Sequence, residues 1–145
     1  FCREVEKFST EFEKVLFGGS APFGRRLRDG VRYIYGYYKA NPVEFSFILL
    51  TQHVFPERDL LDQRLNPTDM VIRFVRKAIV DGNAEVGDPV LVTALLMGAV
   101  LQPLVAHRYG RLGKDPLKLI GRVSRACTAL LGYNTGRGSR HNGAV

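Results

Sequence analysis

Apolar side chains recur along the first stretch of the chain at Phe1, Val5, Phe8, Phe12 and Leu16, with acids and lysines between them. Spacings of three and four place all five on one face of a helix. The pattern predicts a helix over 1–17, stopped by Gly18-Gly19-Ser20. A second stripe, Phe23, Leu27, Val31, Ile34 and Tyr38, predicts a helix over 22–40, with Arg25, Arg28, Arg32 and Lys39 on the opposite face and Tyr33 and Tyr37 flanking the stripe. Four dipeptides then punctuate the chain: Asn41-Pro42, Asn66-Pro67, Asp88-Pro89 and Asp115-Pro116. In each, a short polar side chain can accept from the first helical turn, and the proline sets a helical φ where no N–H is needed. They predict helices over 42–54, 67–81, 89–108 and 116–131. A charged loop over 57–64 and a flexible, glycine-rich tail over 134–145 complete the expectation. No stretch alternates as a strand does, and no unit repeats at a fixed period, so the expected fold is all-α with six helices and one domain over 1–133.

The fifth helix differs from the others. Between Asp88 and Arg108 there is no Asp, Glu, Lys or Arg. A membrane span needs about 20 apolar residues, so length alone permits one. Thr93, Gly98, Gln102 and Pro103, and five amphipathic companions, point instead to a buried helix of a water-surrounded protein. Its apolar positions fall on two opposed faces: Leu91, Leu95, Gly98, Gln102 and Val105 on one, Leu96, Val100 and Leu104 on the other. The sixth helix is likewise apolar on two sides, with Leu117, Ile120, Ser124, Cys127 and Leu131 on one and Leu119, Val123, Ala126 and Leu130 on the next. One chain would struggle to cover so much apolar surface, and large uncovered patches mark interfaces. The expectation is a homodimer in which helices five and six of each copy form a four-helix bundle. Leu91, Leu95, Gly98, Val105, Leu117, Ile120, Gly121, Ser124, Cys127 and Leu131 are its expected interface.

The stretches "FGRRLRDGVRYIYGYYKANPVEFSFILL" and "VIRFVRKAIVDGNAEVGDPVLVTALLMGAVL" carry a resemblance. A tyrosine-containing helix running into an Asn-Pro helix start, then an Ile-x-x-Gly…Asp-Pro hinge entering a glycine-containing helix, resembles the C-terminal regulatory domain of TetR-family transcriptional regulators over about 1–133. The resemblance implies a six-helix orthogonal bundle that senses a small hydrophobic effector. Effector binding would shift the connecting first helix and control a DNA-reading helix-turn-helix. No such motif lies in this chain, so DNA contact is expected only through a domain outside it, and the chain is expected to be part of a longer, cytoplasmic protein. The alternatives are a helical enzyme or a dimeric scaffold module without a ligand.

Effector pockets are apolar with a few placed polar groups. Phe8, Phe12, Tyr33, Tyr37, Phe45, Leu49, Gln52, His53, Phe74, Met97, Leu101 and Gln102 are the candidates. For each Phe, Leu and Met, ordinary core packing is the simpler account; the tyrosines and glutamines discriminate better, because a buried polar group needs a partner. His53 and His107 are expected to cap the helices they follow. Pro103 removes the N–H that would bond the Ala99 carbonyl and should bend helix five.

Composition adds little to this picture. The net charge of +7 would favour polyanions if concentrated on one face, but the basic residues read as a solvated face and tail. Cys2 and Cys127 have no metal-ligand spacing, and nothing demands a disulfide. Neither a cofactor nor a metal is expected. Nucleophile elbow, HExxH and phosphate loop are all missing from the sequence, so no enzyme activity is expected.

Overall fold

A computed structural model describes residues 2–53, 66–113 and 115–133, with only the helical backbone at Cys2 and over 49–53. The expected loop at 57–64 and tail at 134–145 lie outside the described residues. Among the described residues six α-helices follow in chain order: α1 (Cys2–Phe17), α2 (Phe23–Ala40), α3 (Pro42–His53), α4 (Pro67–Val80), α5 (Pro89–Arg108) and α6 (Ile120–Leu131). The start of the expected sixth helix is a 3-10 turn over Pro116–Leu119. The described residues contain no strand.

Three of the four Asx-Pro pairs cap as expected. The Asn66 side chain accepts from the amides of Thr68 at 2.9 Å and Asp69 at 3.3 Å. Asp88 accepts from Val90 N at 3.0 Å and Asp115 from Leu117 N at 3.0 Å. Asn41 does the reverse. Its backbone amide donates to the Tyr37 carbonyl at 2.8 Å, and its Nδ2 donates to the same oxygen at 3.4 Å. Its carbonyl still accepts from Phe45 N at 2.9 Å and so begins the α3 ladder, but its side chain closes α2 rather than capping α3, because a single residue separates the two helices and the α2 carbonyls are the nearer partners.

Helix α2 is central. It packs against α1, α3, α5, α6 and the 3-10 turn, while α4 packs on α1 and α5, and α5 on α6. The approach of α1 to α2 depends on Gly30, where an added Cβ would meet Leu16 Cδ2 at 3.0 Å. The stripes read from the sequence form the core: Val5, Phe8, Phe12 and Leu16 from α1, Leu27, Val31, Ile34 and Tyr38 from α2, Val71, Phe74, Val75 and Ala78 from α4. Among the described residues the largest fully buried side chain is Tyr35, at 0% exposure. Its hydroxyl donates to the Val100 carbonyl at 2.7 Å, next to the Ala99 carbonyl that Pro103 leaves without its helical N–H.

Helix α5 keeps the two-faced character expected of it. Thr93, Leu96, Val100, Leu101 and Leu104 are buried. Val90, Leu91 and Leu95 are 52%, 56% and 47% exposed, and Gly98 and Gln102 are exposed beside them. By length and composition α5 could cross a membrane, but its inner face is committed to this core.

Helix α6 corrects the expectation. Ile120, Ser124, Cys127 and Leu131, assigned to a dimer interface, are buried inside this single chain together with Val123. Because α6 packs on both α2 and α5, it spends one broad face internally. Its outward positions are Arg122, Arg125, Ala126, Ala129 and Leu130. Of the remaining expected interface residues, Leu117 is exposed, and Gly121 and Val105 are partly buried.

Candidate functional site: the core between the helices

The aromatic residues of α1 and α2 interlock. Phe8 lies 5.8 Å from Phe12, 5.3 Å from Tyr33 and 4.9 Å from Tyr37, centroid to centroid. Tyr33 stacks on Phe12 at 6.0 Å, and Tyr37 reaches Phe45 at 6.4 Å. These separations are those of packed aromatic pairs. The Tyr33 hydroxyl donates to the Phe8 carbonyl at 3.3 Å. Burial, reinforced by the charge of Glu11, pushes its phenol up to about 12. The Tyr37 phenol is also raised, first by burial and then by the charges of Glu4 and Glu44. Five of the expected pocket residues thus meet one another. They fill the space that a guest would need, so the expected opening at Tyr33 and Tyr37 is closed by the rings themselves.

A cavity does exist one layer deeper. Phe12 and Leu16 from α1, Val31 and Ile34 from α2, Phe74 from α4, Met97 and Val100 from α5 and Cys127 from α6 line a partly open space of about 40 Å³ with no charged or hydroxyl-bearing side chain among its walls. Three expected pocket residues, Phe12, Phe74 and Met97, stand here. Leu101 is buried in the core without lining the cavity, and Gln102 faces outward, which removes it from the pocket. Its place on the outer face follows from α5 turning Leu101 and Leu104 inward on either side of it. Leu49, Gln52 and His53 lie outside the described side chains.

The cavity is small against ligand pockets of roughly 300–1,000 Å³. Cys127 borders it, and burial pushes its thiol up to about 11. A thiol held protonated this way is a poor nucleophile. Met97, with three rotatable bonds, is the wall most able to move.

Two further features were not visible in the sequence. Tyr35, inside the two tyrosines singled out there, is the one that is fully buried and bonded. Its signal was its place one residue beyond Ile34, adjoining the core stripe. His107 does not cap α5: its Nδ1 shares a hydrogen bond with the Tyr38 hydroxyl at 2.9 Å, the rings edge-on at 5.6 Å. It ties the end of α5 to the end of α2. The basic face of α2 carries its own acids, with Asp29 bridging Arg25 at 3.7 Å and Arg32 at 3.4 Å, and Lys39 paired with Asp115 at 2.9 Å. Among the described residues no group of three His, Cys, Asp or Glu side chains could hold a metal ion.

The class defined by the fold is a small all-α bundle with an apolar centre. Comparison of the chain with protein-family models, curated proteins and solved structures finds no match. The resemblance to transcriptional regulators therefore stands on the sequence pattern alone.

Proposed function

We propose that the chain is the effector-sensing and dimerising domain of a cytoplasmic, TetR-like DNA-binding regulator, whose DNA-reading part lies outside it. The observation that carries this reading is the two-faced α5. Its inner face borders an apolar space where five helices meet, and its outer face leaves Val90, Leu91 and Leu95 to solvent. A helix shared between a core cavity and a dimer contact couples the two: moving Met97 or Val100 outward displaces Leu91 and Leu95 with them. Effector binding must favour one arrangement over the other, by roughly 1–3 kcal/mol for a typical coupling.

The closed aromatic cluster favours a second reading, a dimeric scaffold with no ligand. One experiment separates them. A thermal-shift screen of hydrophobic compounds is run on the chain and on Val31→Leu, which fills the cavity from α2. The regulator reading expects a compound that stabilises the chain by about 2.7 kcal/mol at 100 times its Kd and has no effect on Val31→Leu. Compounds that stabilise neither protein, with dimerisation intact, would establish the scaffold instead. The coding sequence upstream of Phe1 gives an independent check: three short helices with a basic third helix are expected there.

A further inference from the structure

A second pocket, of about 270 Å³, lies where the end of α1, the start of α2 and the last turn of α4 converge. It shares only Phe74 with the core cavity. One side is aromatic: Phe23 stacks on Phe74 at 5.1 Å with the rings inclined by 15°, and Phe17 meets Phe74 edge-on at 6.0 Å. The other side is charged, with Arg26, Lys77 and Asp81 on it.

The charges do not balance. Lys77 is paired with Asp81 at 2.9 Å. Nearby, Arg73 is paired with Glu13 at 3.3 Å, and Arg25 has Asp29. Arg26 has no acidic partner among the described residues: its Nη2 donates to the neutral Gly19 carbonyl at 3.0 Å, and its Nε is buried without any hydrogen-bond partner. A partly buried cation that lacks a counter-charge is unfavourable until an anion supplies one.

We propose that this pocket binds a small aromatic monocarboxylate. The carboxylate would take the free edge of the Arg26 guanidinium, whose planar fork matches two oxygens. The ring would lie against Phe23 and Phe74, whose faces and edges suit an aromatic guest. Asp81 at the same wall disfavours a second negative charge on the ligand. A volume just under the range of about 300–1,000 Å³ for ligand sites limits the guest to about one ring. Inorganic anions would leave the aromatic walls unused, and a neutral arene would leave Arg26 unneutralised. The proposal is independent of the regulatory reading, because neither the core cavity nor a dimer enters it.

Benzoate titrated into the chain, followed by heteronuclear NMR shifts and calorimetry, tests it, with benzamide and acetate as controls. Saturable benzoate binding is expected, with shifts centred on Phe23, Arg26 and Lys77. Benzamide and acetate should bind at least about tenfold more weakly, the loss of one charged hydrogen bond or of the ring contact. Arg26→Gln should weaken benzoate by about tenfold or more while the melting temperature of the free protein stays close to that of the parent. Should Arg26→Gln fail to fold, Lys77→Met decides: Lys77 is exposed, so the fold tolerates its loss, and the stranded Asp81 charge should repel benzoate. No saturable benzoate binding below about 10 mM, a Kd near −3 kcal/mol on the affinity scale, overturns the proposal. So does benzamide binding as tightly as benzoate, or unchanged benzoate affinity in the decisive variant.

Discussion

Replacing Tyr35 by Phe removes one oxygen from the centre of the molecule and leaves the ring in place. Tyr35 is 0% exposed, and its hydroxyl donates to the Val100 carbonyl at 2.7 Å. A buried hydrogen bond contributes about 0.5–1.5 kcal/mol net, and an acceptor stripped of its partner costs about 1–3 kcal/mol when water does not replace it. Val100 also accepts within its helix, so the lower part of this range applies, about 1–2 kcal/mol. For a chain of 145 residues that is a fall of about 3–7 °C in melting temperature. Tyr33→Phe is the internal control. Its bond to the Phe8 carbonyl is longer, 3.3 Å, and only part-buried, so about 0.5 kcal/mol is expected. Urea unfolding of the parent and both variants measures the two costs with unchanged slopes. Amide exchange past Pro103 should quicken in Tyr35→Phe, because the hydroxyl supports α5 where the proline interrupts its ladder. Equal costs for the two variants, or a cost for Tyr35→Phe below about 0.3 kcal/mol, would refute the view that this bond fastens α5 to α2.

Two further outcomes follow from local geometry. Gly132 closes α6 with φ of +73°, and a Cβ there would run into the Glu85 side chain, whose own backbone amide donates to the Leu131 carbonyl at 2.9 Å. Gly132→Ala should therefore cost about 1–2 kcal/mol or more, from the left-handed backbone alone, and a change under about 0.3 kcal/mol in urea unfolding would show that the turn adjusts freely. The phenol of Tyr33 and the thiol of Cys127 both titrate higher when folded, to about 12 and about 11 against ordinary values of 10.0 and 9.0, chiefly through burial. The protonated form is the one the fold favours, so their stabilisation is complete below pH 9 and is lost as pH rises from 9 towards 12. Urea midpoints should fall across that window, and less steeply in Cys127→Ala; midpoints flat to pH 11 would contradict the burial of the thiol.

The helices were legible because the sequence marks them twice, by stripes of apolar residues and by Asx-Pro starts. Asn66, Asp88 and Asp115 cap as their pairs imply. Asn41 departs because local sequence does not tell a short linker which helix its amide will serve. The face of α6 was not legible for a related reason. Ile120, Cys127 and Leu131 and the neighbouring Val123 and Leu130 form adjacent apolar stripes, and periodicity cannot rank two stripes on one helix; packing on both α2 and α5 does so. Aromatic residues at Phe8, Phe12, Tyr33 and Tyr37 gave the right neighbourhood and the wrong occupancy, since residue type does not distinguish rings that line a space from rings that fill it. Arg26 stands in a run of arginines, Arg25, Arg26, Arg28 and Arg32, whose type alone does not single it out. Its spacing sets it off the Arg25, Arg28 and Arg32 face, towards Phe23, and that offset was the available signal.

The reading of the chain rests on α5 meeting a second copy through the face that this copy leaves bare. Light scattering at micromolar concentration, on the parent and on Leu95→Glu, tests it directly. Leu95 is 47% exposed and makes no demand on the core, so the variant should fold as the parent does. The parent is expected at twice the 16.2 kDa chain mass, and Leu95→Glu at the chain mass itself. A monomeric parent, or a variant that remains dimeric, would contradict the assignment of this face.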